Sequence, residues 1–166
     1  VTDAIGCSVS TTINITEPTQ VVWDSTSQIN VSCFGGSDAS LQVNASGGTG
    51  TISYNLNPGN ITNTTGGFTG LTASAYTITA TDANNCSITT TITITEPTQL
   101  IWGTPTSTNV SCNGGNDGTA IALPFDGTAP YSFLWSNNIT INSVSNLTAG
   151  IHTVTVTDAN NCSVIG

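Results

Sequence analysis

The sequence predicts an all-β chain of tandem antiparallel β-sandwiches, immunoglobulin- or fibronectin-III-like, stacked into an extended rod. Three observations predict it. Thr, Ser, Asn and Gly dominate the 166 residues, and these suit exposed strand faces and turns. Apolar residues alternate with Thr and Ser at a period of two, with turn residues every eight to twelve. The chain also repeats itself: TDAIGCSVSTTINITEPTQ at 2–20 returns as TDANNCSITTTITITEPTQ at 81–99, and TDANNCS opens again at 157. With 37% apolar residues in register there is a core to bury, so low-complexity disorder is excluded. No stretch carries apolar residues at helical spacing between caps.

The repeat length is near 79 residues. Cys7, Cys86 and Cys162 are spaced 79 and 76 apart, and NVSCFGGSD at 30–38 recurs as NVSCNGGND at 109–117. That is too long for a helical solenoid and right for a small sandwich. In order along one copy, Gln20–Ser32 reads as a first extended segment. Ser40–Asn44 and Thr119–Leu123 read as second strands, with a bulge or phase change expected at Leu123 and Phe125. Ile52, Tyr54 and Leu56 form a third strand that corresponds to Tyr131, Phe133 and Trp135. Tyr76, Ile78 and Ala80, then Ile88, Ile92 and Ile94, form the last two strands. The three-residue shortening of the second copy falls between Pro58–Leu71 and Asn137–Leu147. GLTASAYTITATD (70–82) and NLTAGIHTVTVTD (146–158) resemble the tyrosine corner of such sandwiches, with Tyr76 and His152 as the corner residues.

This phase divides the chain into three parts: 1–16, the last strand of a preceding repeat or a donor strand; 17–96, a complete repeat; and 97–166, a second repeat without its last strand. Two readings follow. The chain is a window on a longer tandem array, or Ser8–Thr16 of one subunit fills the gap after Cys162 in another.

Composition excludes several partners. There is no Lys or Arg against nine Asp and Glu, giving a net charge of -9. Nucleic acid and anionic membrane surfaces need cations that this chain lacks. No apolar run approaches the length that spans a bilayer, and no basic, apolar leader is present within 1–166. Expected partners are neighbouring repeats of the same chain or identical subunits, with surface glycans or other cell surfaces as ligands. The absence of trypsin sites fits an extracellular life.

DGTAIALPFDGTAPYSFLW, NLTAGIHTVTVTDANNC and NVSCNGGND together resemble the SprB-type repeat of very large surface adhesins in gliding Bacteroidota. The first copy departs at SDAS and at GGTGTISYNL, which lacks the aromatic run of YSFLW. The resemblance implies a secreted, cell-surface, multidomain adhesive filament exported by the gliding-associated route, and no catalysis. The alternatives are a carbohydrate-binding accessory module of a secreted hydrolase and a donor-strand-complemented filament subunit.

Five cysteines, Cys7, Cys33, Cys86, Cys112 and Cys162, are disulfide candidates in an oxidising setting. Two pairings stay open. Within a sandwich they are Cys33–Cys86 and Cys112–Cys162. Across the junction Cys33 meets Cys162, and Cys86 and Cys112 pair with further repeats. A strand of seven residues separates the poles of a sandwich by roughly 20 Å, against the 4.4–6.8 Å a disulfide tolerates, which favours the junction. No CxxC pair suggests zinc. No cofactor is expected beyond Ca²⁺ at the domain junctions, where Glu17, Asp82, Glu96 and Asp158 are the carboxylates on offer; solvated or turn-capping acids are the plainer reading.

Ten sequons mark glycan candidates: Asn14, Asn30, Asn44, Asn60, Asn63, Asn85, Asn109, Asn138, Asn146 and Asn161. Asp24-Ser25-Thr26 offers Ser25 for O-glycosylation. Trp23 and Trp102 follow apolar pairs and read as core or interdomain residues rather than sugar platforms. No nucleophile and acid pair with His152, so it is read as a corner residue and the chain as a non-enzyme.

Overall fold

The computed structural model describes residues 1–166, and every regular element in it is an antiparallel strand. The first seven are β1 (Val22–Ile29), β2 (Ala39–Ser46), β3 (Ser53–Asn57), β4 (Ile61–Asn63), β5 (Gly67–Leu71), β6 (Ser74–Thr81) and β7 (Ser87–Ile94). They form two sheets, β1-β2-β5 and β4-β3-β6-β7. The period of two places one face of each sheet inward. Leu41, Val43 and Phe68 from the first sheet meet Tyr54, Leu56, Ile78 and Ile94 from the second in one core of 13 buried residues. Trp23 packs against that core and stacks on Tyr54, with ring centroids 6.3 Å apart.

The second copy follows as β8 (Ile101–Trp102), β9 (Thr106–Thr108), β10 (Gly118–Ile121), β11 (Pro124–Phe125), β12 (Ser132–Trp135), β13 (Ser143–Leu147), β14 (Val154–Thr157) and β15 (Ser163–Ile165). Its sheets are β13-β10-β9, β12-β14-β15 and the short pair β11-β8. Its core has seven buried residues, led by Trp135, Leu147 and Val156. Sequence equivalence explains how the smaller core fills. Leu41 and Val43 become Ala120 and Ala122, while Leu56 becomes Trp135. Volume lost on one sheet is returned from the other, the kind of exchange a core tolerates best. The indole N–H of Trp135 donates to Ile141 O at 2.9 Å, so the larger ring adds no unsatisfied polar atom.

The expected phase change near Leu123 is a break in the strand. β10 ends at Ile121, and Pro124–Phe125 pairs instead with Ile101–Trp102. Pro124 has no N–H to continue the ladder.

In the first copy two strands lie where the sequence reading assigned none, and β13 does so in the second. β4 and β5 occupy the Pro58–Leu71 stretch. Their apolar residues are too sparse to show a period of two, and in β5 the period is also broken. Ala39 and Ser40 face Leu71 and Thr69, so Gly70, at φ +71°, is an extra residue in the ladder. Only glycine, or an asparagine, takes that conformation readily. The second copy has Asn146 there, at φ +59°.

Residues 1–16 belong to neither core. Thr2 bridges Ser8, and residues 10–16 form no strand. Val9, Ile13 and Ile15 are 71, 80 and 91% exposed.

Candidate functional site

Two local motifs recur in the sequence, and the structure brings one copy of each together. The first is the loop after the first extended segment. In NVSCFGGSD, Asp38 Oδ1 accepts the N–H of Ser32 at 3.0 Å, and the N–H of Gly36 closes a turn on Cys33 O at 2.9 Å. In NVSCNGGND, Asp117 Oδ1 accepts from Ser111 at 2.9 Å, and Gly115 N–H donates to Cys112 O at 2.9 Å. The carboxylate thus ties off the loop and leaves the cysteine on its outer side.

The second motif is Thr-Asp-Ala-x-x-Cys. Asp158 is buried and its oxygens accept three backbone N–H groups: Asn160 and Cys162 on Oδ1, both at 2.9 Å, and Thr128 on Oδ2 at 3.0 Å. Asp82 does the same with Asn84, Cys86 and Thr49 at 2.8–2.9 Å. Asp3 repeats the local half of this cradle, accepting from Ile5 and Cys7 at 3.0 and 2.8 Å. One aspartate therefore fixes each hairpin turn and the direction in which its cysteine leaves. A Cβ at Gly127 would stand 3.0 Å from both Asp158 Oδ2 and Leu100 Cβ, so the segment that feeds Thr128 to the cradle needs glycine.

At the junction the two motifs meet. Cys33 and Cys162 form a disulfide with Cα atoms 5.6 Å apart, across 129 residues of chain. The separation is typical of an undistorted bridge. Around it, Glu96 Oε2 accepts the N–H of Gly35 at 2.6 Å, Val31 N–H donates to Thr95 O at 3.0 Å, and Thr98 Oγ1 donates to Gly127 O at 3.4 Å. The linker is thus tied to the sandwich before it and to the one after it. Cys7, Cys86 and Cys112 are free and exposed.

The four junction carboxylates do not assemble around a common point. No group of three or more His, Cys, Asp and Glu side chains is placed to hold a metal ion. Asp82 and Asp158 are occupied with turn amides, Glu96 faces Gly35, and Glu17 is exposed on the other side of the first sandwich's sequence.

Tyr76 O–H donates to Thr72 O at 3.2 Å, and His152 Nε2 lies 2.9 Å from Thr148 O, so both residues sit at matching corners. Of the ten sequon asparagines, Asn60, Asn85, Asn138, Asn146 and Asn161 hold positive φ and shape turns. Asn63 is half-buried and spends its amide N–H on Gly67 O at 2.8 Å, and Asn44 spends its own on Ser25 Oγ at 2.9 Å. Asn14, Asn30 and Asn109 are exposed. Trp23 and Trp102 are half-buried against their cores, and their indole N–H groups are buried without partners. Neither presents an open ring face with its N–H to solvent.

The turn acids have a pH consequence. Hydrogen bonds from the Ser32 hydroxyl and backbone hold Asp38 below the usual carboxylate value, and Ser111 does the same for Asp117. The Thr49 backbone N–H is the main cause of the lowering at Asp82. A lowered folded value contributes stability that is complete above the unfolded value near 3.8 and is lost as pH falls through the folded one. Urea midpoints are therefore expected to stay level from about pH 7 to 5 and to fall below about pH 4. In Asp82→Asn the acid-side fall of the first sandwich shrinks. A wild-type midpoint unchanged at about pH 2.5 would contradict the assignment.

Two sandwiches of one sequence repeat, joined by a short linker and a disulfide across their junction, define a tandem β-sandwich repeat. The SprB repeat family matches residues 25–61 and 104–140, two segments 79 residues apart that each cover the opening half of one sandwich. These two segments are thus similar to the SprB repeat, which belongs to cell-surface proteins. No curated protein matches the chain.

Proposed function

We propose that these two repeats are a structural and adhesive segment of an extracellular filament or stalk, held straight by junction disulfides and without catalysis of its own. The observation that carries the reading is the Cys33–Cys162 bridge. It locks the loop after the first strand of one sandwich to the last hairpin turn of the next, through motifs that recur in the sequence. A module built to bind and release a small ligand gains nothing from such a lock, whereas a load-bearing rod gains length and stiffness. The reading places the chain on the cell surface, in contact with neighbouring repeats and, at its outer face, with other surfaces or glycans. The buried indole N–H groups of Trp23 and Trp102 weigh against the carbohydrate-binding alternative.

The test is the native polypeptide boiled in SDS with reductant, together with small-angle scattering of the oxidised chain. A species far larger than the 16.8 kDa of this chain, and a scattering profile of two sandwiches end to end, support the filament. Specific glycan binding by the chain, lost in Trp23→Ala and Trp102→Ala variants that keep their melting temperatures, would replace it with the accessory-module reading.

A further inference from the structure

The two sandwiches carry equivalent sheets with unlike outer faces. Along β2 of the first sandwich the outward residues are Gln42, Asn44 and Ser46, all polar and exposed. Asn44 donates to Ser25 Oγ at 2.9 Å and Ser46 to Asp24 Oδ1 at 2.7 Å, so that face is satisfied by its own hydrogen bonds. The residues 79 positions later are Ile121, Leu123 and Phe125, and they are 38, 39 and 58% exposed. Phe125 faces Ile101, which is also exposed. The Phe125 ring lies over Gly103, which stands where Asp24 stands in the first copy, so closely that a Cβ there would meet the ring. Beyond β10 the pairing runs on, with Ala122 N–H donating to Asn142 O at 2.8 Å, and this sets the exposed Ile141 level with Leu123.

The core makes no use of these side chains. Trp102 and Ala122 pack inward, so their chain neighbours Ile101, Ile121 and Leu123 point out. Together with Phe125 and Ile141 they form an apolar patch of roughly 400 Å², a size that marks binding surfaces on soluble proteins. Neighbours in a tandem stack leave it open. The sandwich before it does not cover it, and the sandwich after a unit leaves the matching Gln42, Asn44 and Ser46 exposed. The patch is also neutral. In a chain of net charge -9, the strands β8, β9, β10, β11 and β13 contain no Asp or Glu. Its rim is made of hydroxyls: Thr106 and Ser143 flank Ile121, and Thr108 and Thr119 share a hydrogen bond of 2.7 Å.

We infer that this face binds the same face of a second copy of the chain, the two sheets packed face to face about a two-fold axis with their strands running in opposite directions. Charge and area both fit that occupant. A cationic partner finds no acid on these strands to pair with, whereas a second copy brings a neutral apolar face of equal size. Two such faces with their hydroxyl rims bury about 1,200 Å², the low end of what a specific interface needs, so the pairing is weak and reversible. Centred on Leu123, the contact sets Ile121 of one copy against Phe125 of the other. The Asp126 residues that follow Phe125 then stand about 20 Å apart along the strands, beyond the reach of their repulsion at physiological salt. A contact of a surface with itself closes at two copies. Such pairing ties chains side by side, whereas the filament reading concerns their length, so a chain that proved monomeric would leave the junction disulfide and that reading untouched.

The test uses the full 166-residue chain with its internal disulfide formed and its free thiols blocked by iodoacetamide. Sedimentation equilibrium is expected to show a monomer and dimer in exchange, with a Kd of about 100 µM. Ile121→Gln/Leu123→Asn/Phe125→Ser installs the side chains that the first copy carries on this face. It is expected to raise the Kd about tenfold or more and to keep the melting temperature, since none of the three belongs to the core. Leu123→Asp, a single change at the centre of the contact, is expected to do the same without touching the packing of Phe125 on Gly103. Amide spectra of the wild-type chain give a readout that needs no variant. Signals of Ile101, Ile121, Leu123 and Phe125 should shift with concentration, and those of Gln42, Asn44 and Ser46 should not. A chain that stays monomeric at about 1 mM, oligomers that grow past two copies, or dimers that both variants leave at the wild-type Kd, as assembly through other surfaces would, each overturn the inference.

Discussion

Cys33→Ser is expected to lower the melting temperature of the second sandwich by on the order of 20 °C and to turn the rod into two hinged beads. With the first sandwich folded, the bridge closes the second sandwich and its linker into a loop, and across the whole chain it spans 129 residues. On the chain-entropy account such closure contributes about 4–5 kcal/mol by restricting the unfolded state. The second sandwich needs it more, since its core has seven buried residues against 13 in the first. Calorimetry of the oxidised chain should show transitions close together. In Cys33→Ser the lower one moves down and the upper one hardly moves. Scattering should report the second effect, a broadened distribution of distances between the two sandwiches, because the hydrogen bonds of Glu96 and Thr98 alone hold an exposed linker weakly. Equal melting temperatures and an unchanged profile would show that the packing at the junction, not the bridge, sets its rigidity.

Trp135→Ala is expected to cost about 4 kcal/mol, enough to unfold the second sandwich at room temperature while the first stays native. The substitution empties the largest position of a small core, and it also strips Ile141 O of its partner. Leu56→Ala, at the matching position of the first sandwich, is expected to cost about 3 kcal/mol and to leave that sandwich folded, because twelve other buried residues surround the site. The compensation argument gives a sharper form of the test. Trp135→Leu alone should destabilise by about 2 kcal/mol, and adding Ala120→Leu and Ala122→Val should recover part of that loss by restoring the first copy's arrangement. Tryptophan fluorescence from Trp102 and two-dimensional amide spectra would resolve the two sandwiches separately. Additive losses in the triple variant would refute the exchange of volume between the sheets.

Much of the fold was legible because it is written as a period of two with repeated punctuation. Leu41 and Val43, Tyr54 and Leu56, and Tyr76, Ile78 and Ala80 all face inward as their alternation requires. The SprB-type resemblance rested on segments that the family match partly covers. What failed to read was β4 and β5, where Gly70 interrupts the alternation so that Phe68 and Leu71 lie three apart yet share a face. The positive-φ partner of Gly70, Asn146, was the available signal, since two residues tolerant of the left-handed region stood at one repeat position. Half of the sequon asparagines also hold positive φ and shape turns, a backbone role that the sequon pattern does not display.

The sequence by itself determined the regularly alternating strands and the local turns, because each depends on residues within a few positions of one another. Asp158 finds Asn160 and Cys162 through a four-residue turn, and so it does at Asp82 and Asp3. Which cysteines join could not be read that way. The motif around Cys86 is the same as that around Cys162, and the motif around Cys33 the same as that around Cys112. Only the stacking of one sandwich on the next brings Cys33 and Cys162 to 5.6 Å and leaves Cys86 and Cys112 at the outer ends of the pair. Tertiary structure decided the junction, because a disulfide is a statement about distance in space and the repeat made the candidates chemically alike.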